Sequence, residues 1–162
     1  MRRATPIVLA ALLALALVLA GCGGSSSSTG TGPTVSSFKA AFAAEKAQLK
    51  VLGTDVGTAV EGAAKQTDTA LASQFQSLAS RATALAGSLG QLSAPAQYKA
   101  ELAALQSSVT QVAGALHSFE AAAAAHDAAA AKAAVETLVA DAQQVKSTDN
   151  ALSAKLGIPT SP

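Results

Sequence analysis

Between Leu71 and Leu92 the chain runs LASQFQSLASRATALAGSLGQL, and its bulky apolar positions fall at Leu71, Phe75, Leu78, Ala82, Leu85, Leu89 and Leu92. The steps alternate between four and three. They average about 3.5 residues, close to one turn of α-helix, so these side chains line one helix face. The next segment repeats the pattern through Tyr98, Leu102, Leu105, Val109, Val112, Leu116, Phe119 and Ala123. Upstream, Val35, Phe38, Phe42, Leu49, Leu52, Val56, Ala59 and Ala63 form a third stripe, interrupted at Glu45. Downstream, Ala131, Val135, Leu138, Ala142, Val145, Leu152 and Leu156 form a fourth, interrupted at Asp149. Four amphipathic helices follow from this pattern, at about 35–64, 68–92, 95–124 and 127–156.

Local chemistry sets the boundaries. Thr34 or Ser36 can cap the first helix and Thr67 or Asp68 the second, each offering a side-chain oxygen to a free backbone N–H. Ser93-Ala94-Pro95 separates the second from the third, with Pro95 tolerated in a first turn. Gly157 ends the fourth, Ile158 can fold back on Leu152, and Pro159 forbids continuation. The third and fourth helices are divided only by His126-Asp127 within an alanine-rich run. The stripe loses phase there, and Asp127 is a good cap, so a turn is expected; the alternative is one continuous helix of about 60 residues. Short turns make successive helices antiparallel. The fold class expected is all-α, an antiparallel up-down-up-down four-helix bundle. Each helix would be about 37–45 Å long. The many alanines on the stripes, with Gly53 and Gly57 four apart on helix one, lead to the expectation of close helix approach or a kink.

The amino terminus is of a different kind. Arg2 and Arg3 precede an unbroken apolar run from Ile7 to Ala20. A bilayer span needs about 20 such residues, so this run fits the apolar region of a signal peptide. It ends in Leu19-Ala20-Gly21-Cys22. This quartet resembles the lipobox of bacterial lipoprotein precursors: a branched aliphatic residue, two small residues and a cysteine. The resemblance implies cleavage after Gly21, lipid on the Cys22 thiol, and attachment at the outer face of the cell membrane through N-terminal acyl chains. Two or more such chains anchor stably where one does not. Loss of residues 1–21 removes Arg2 and Arg3, and the formal charge falls from +1 to −1. Residues 23–33, GGSSSSTGTGP, form a Gly/Ser linker with a reach of roughly 17–20 Å. The domain is expected to span 34–162. Its alanine-rich helical character, with Phe38-Lys39-Ala40-Ala41-Phe42, Pro95-Ala96-Gln97-Tyr98 and Ala125-His126-Asp127, is similar to uncharacterised helical lipoproteins of high-GC bacteria, a likeness that implies no known activity.

Composition excludes several classes. One cysteine rules out a disulfide scaffold or a zinc ribbon. A chain with 11 basic and 10 acidic residues has no basic stripe for nucleic acid. A phosphate-binding glycine loop, a haem-attachment motif and a Ser-His-Asp arrangement cannot be traced, so no cofactor and no catalysis are expected.

Glu45 and Asp149 are the residues most out of place, since each falls on an apolar stripe. Antiparallel topology puts both roughly 12–15 Å from the same bundle end. A buried carboxylate is costly unless paired or protonated. They can form a shared polar site for a cation or small ligand, with Lys46, Lys146 or the hydroxyl of Tyr98 within reach. Alternatively they sit at the rim of a wide stripe, with Ala41 and Ala44 over the core. His117 and Glu120, three apart, present the weakest metal-ligand pair. It is the reverse of the Glu-x-x-His order found in di-iron bundles, and it occurs once. The expectation is a lipid-anchored envelope protein that is non-enzymatic, serving as a protein-interaction or structural module with an envelope partner. The alternative is a ligand- or metal-binding bundle using Glu45 and Asp149.

Overall fold

The computed structural model describes residues 32–160, which lie in one compact unit, Thr31–Pro162. The expected signal peptide, the lipobox-like Leu19, Ala20, Gly21 and Cys22, and nearly all of the expected linker lie outside the described residues. Four helices, α1 (Val35–Gly62), α2 (Asp68–Gln91), α3 (Lys99–Ala124) and α4 (Ala128–Leu156), run up-down-up-down, and no strand occurs among the described residues. The all-α four-helix bundle expected from the stripes is the fold.

The caps are those the local chemistry selects. Thr34 Oγ1 accepts the Ser37 N–H at 3.1 Å, and Thr67 Oγ1 accepts that of Ala70 at 3.3 Å. Asp127 Oδ1 accepts from Ala129 and Ala130 at 3.0 and 2.9 Å, so the chain turns between α3 and α4 rather than continuing. Two ends differ from expectation. Helix α1 tightens into a single 3-10 turn at Ala63–Lys65. Pro95 is not in the first turn of α3: its extended backbone (ψ 151°) leads into a separate 3-10 turn, Ala96–Tyr98, and α3 starts at Lys99.

Helix α3 is the spine. Eleven of its residues are buried, against four on α1. The stripes of α2 and α3 meet along their length, and Phe75 stacks on Phe119 with ring centroids 4.0 Å apart. Toward the opposite end, Phe38 stacks on Phe42 at 6.3 Å and on Tyr98 at 5.7 Å. An ion pair between Lys155 and Glu101 at one end, and a contact of His126 Nδ1 with the Asp68 carboxylate at the other, link elements remote in sequence.

Helix α1 does not close the bundle tightly, and the expected close approach at its glycines is corrected. Gly53 and Gly57 are exposed, and a Cβ added at either would meet nothing within 4 Å. The middle of α1 offers only Leu49, Leu52, Gly53 and Val56, opposite Ala142 and Val145 on α4. Those side chains leave space between the two helices. A groove results.

Candidate functional site

The groove lies between α1 and α4, with α3 as its floor. Leu49, Leu52 and Val56 form one wall, Leu138, Ala142 and Val145 the other, and Val109 and Val112 the base. Its volume is about 240 Å³. It exists because three stripes converge there without filling the space: Leu52, Val109, Val112 and Leu138 are buried, whereas Leu49, Val56 and Val145 are only half-buried.

Charged residues close one end. Lys46 Nζ lies 3.0 Å from Asp149 Oδ2 and donates to Ser153 Oγ at 2.6 Å. The Ser153 hydroxyl donates in turn toward Asp149 Oδ1 at 3.4 Å. The Lys46 and Asp149 side chains are 14% and 8% exposed, so the pair is largely desolvated. A carboxylate this deep is held only by a matched cation and further hydrogen bonds, and Lys46 and Ser153 supply both. Lys50 and Lys146, both exposed, also line this end.

Of the two acids on the stripes, only Asp149 joins the polar group at the end of the groove. Asp149 takes Lys46 as its partner, and no hydrogen bond or ion pair joins it to Glu45. Helical rotation is the reason: Lys46 follows Glu45 by about 100° around α1, which turns it toward α4. Glu45 stays half-buried, with Oε2 buried and without a hydrogen-bond partner, as is Asn150 Oδ1. The reading in which Ala41 and Ala44 cover the core is also corrected. Both are exposed, because the inward face of α1 passes through Phe38, Phe42 and Leu52. Tyr98 is buried in its stack on Phe38 and makes no hydrogen bond to either acid.

His117 and Glu120 do face the same way, with Nδ1 to Oε2 at 3.1 Å, but the histidine is exposed and the two engage each other. Among the described residues no group of three or more His, Cys, Asp or Glu side chains is arranged to hold a metal ion. Sequence reasoning found Asp149 and named Lys46 as a residue within reach of it. It missed Ser153, Lys50 and the groove. The signal lies in Gly53 and Ala142, small residues that the antiparallel register sets against each other, since smallness on facing helices leaves space as readily as it permits contact.

No family model, no curated protein and no solved structure matches this chain. None of the described helices is long and apolar enough to cross a membrane.

Proposed function

We propose that the chain is a lipid-anchored protein of the cell envelope whose bundle is a non-enzymatic binding module, taking a small apolar ligand into the groove between α1 and α4. The observation that carries this reading is the groove itself: a concave, apolar space between facing helices, closed at one end by a few convergent polar groups. Helix bundles place ligand sites in such interiors, and ligand pockets combine apolar walls with a small polar set in this way. The chemistry assembled there is suited to holding a molecule. The deep Asp149 carboxylate is engaged with Lys46 and Ser153, and the Ser153 side chain beside them is fully buried.

The anchoring half of the proposal rests on the resemblance of Leu19-Ala20-Gly21-Cys22 to a lipobox. Acyl chains on Cys22 would hold the domain near the outer face of the membrane, where amphiphilic ligands are plentiful. Labelled palmitate should enter the protein in cells and be lost in Cys22→Ala; equal labelling of the two would contradict the anchor.

Binding is tested on residues 22–162 carrying Cys22→Ser, a form that needs no detergent to compete for the groove. The uncharged dye N-phenyl-1-naphthylamine should bind saturably and brighten. Gly53→Leu, which fills the groove, should abolish the signal. Gly57→Leu, on the same helix but outside the lining, should keep it. Absence of saturable binding, or loss in both variants alike, would overturn the reading.

A further inference from the structure

We infer that the ligand of the groove is a single-chain amphiphile with an anionic head, its tail along α1 and α4 and its head between Lys50 and Lys146. The inference rests on the groove being a ligand site, as proposed above.

The antiparallel register is fixed where Lys46 meets Asp149 and Ser153. One turn along α1 it sets Lys50 against Lys146. Further along, it sets Gly53 against Ala142 and Val56 against Leu138. All four charged lining residues, Lys46, Lys50, Lys146 and Asp149, therefore fall at one end, and the other end is wholly apolar. An amphiphile has the same polarity.

The sign of the head follows from the pairing. Asp149 is matched to Lys46. The ammonium groups of Lys50 and Lys146 have no ion pair or hydrogen bond among the described residues, and Glu45 does not line the groove. Two cations facing each other across an apolar cleft repel, and an anion between them relieves the repulsion and accepts hydrogen bonds from both.

Length and width fix the tail. From the lysine pair, Lys50 to Val56 spans about 9 Å at roughly 1.5 Å per residue, which seats the part of an extended chain nearest the head. The volume of about 240 Å³ lies below the range usual for drug-sized ligands, which suits one extended chain and not the two chains of a phospholipid. The apolar walls offer no polar group to a second polar centre, so selectivity resides in the head.

The test is displacement of bound N-phenyl-1-naphthylamine from residues 22–162 carrying Cys22→Ser by dodecanoate, dodecan-1-ol and dodecyltrimethylammonium, each kept below micelle formation. Dodecanoate should displace the dye at concentrations about tenfold lower than the other two. The double variant Lys50→Gln with Lys146→Gln, both at exposed positions, should cost dodecanoate about that factor and leave dodecan-1-ol unchanged. Equal potency of the three amphiphiles would overturn the anionic head while leaving the apolar site standing. If the dye itself fails to bind, the proposed function fails with it. A dimer in sedimentation that binds dye only on dissociation would place a second copy in the groove and overturn the inference.

Discussion

Asp149 breaks the apolar stripe of α4, and the break is answered across the seam by Lys46 and Ser153. Such a group is expensive to halve. Asp149→Ala should lower stability by about 2–3 kcal/mol, toward the low side for a broken buried pair because Lys46 keeps some solvent. Replacing both charges, Lys46→Met with Asp149→Leu, should be neutral or stabilising, since the cost of desolvating them disappears. Urea midpoints of the two variants check this, and equal losses in both would contradict it. Glu101 gives a pH-dependent counterpart. The hydrogen bond from Lys155 holds its carboxyl below the ordinary value of 4.5. On acidification the unfolded chain therefore takes up this proton first. The stabilisation is complete above the ordinary carboxylate range and is lost as pH falls through the lower, folded value. Glu101→Gln should make the acid limb of a thermal-unfolding profile shallower, and an unchanged limb would count against the pair. Asp149 is visible in the sequence as a residue out of place, with Lys46 one of several groups within its reach, but the pattern does not choose among them. Periodicity shows which residue departs from its own stripe, whereas the rotation of one helix about its axis against another decides which neighbour it meets.

Helix ends show what local chemistry does and does not announce. Gly157 takes a left-handed conformation (φ 61°), and Ile158 N–H closes on Ser153 O at 2.9 Å, as a glycine there suggests. His126 does the same at the end of α3, with φ 55° and the Asp127 N–H on Ala122 O at 2.9 Å. No glycine marks that turn, so only the phase loss and the Asp127 cap revealed it. Within α1, Gly53 and Gly57 are helical residues that meet open space. Each lacks a packing reason to be glycine, and alanine should raise stability by about 0.5–1 kcal/mol at either position. Denaturant unfolding of Gly53→Ala and Gly57→Ala measures the gain. A loss at Gly53 would mean that α4 approaches α1 more closely than the groove allows.

At the scale of the whole molecule, the period of the apolar residues was enough for an antiparallel bundle, because a stripe on each of four helices joined by short turns admits few other arrangements. It was not enough for the groove. Periodicity says which face of a helix turns inward, but not whether two inward faces have side chains large enough to meet. Phe75 and Phe119 fill the seam between α2 and α3, while Gly53 and Ala142 leave the seam between α1 and α4 open. The same asymmetry leaves α1 with the smallest buried share of the four helices and gives the molecule a polarised apolar space. The central claim is that this space is where the protein binds. The most direct measurement is a set of ¹H–¹⁵N spectra of residues 22–162 carrying Cys22→Ser, recorded as dodecanoate is added. The account predicts saturable shifts confined to residues 46–56 of α1, 138–149 of α4 and the stretch of α3 around Val109 and Val112, with the face between α2 and α3 unmoved. Shifts spread over the surface, centred on another face or absent altogether would contradict it.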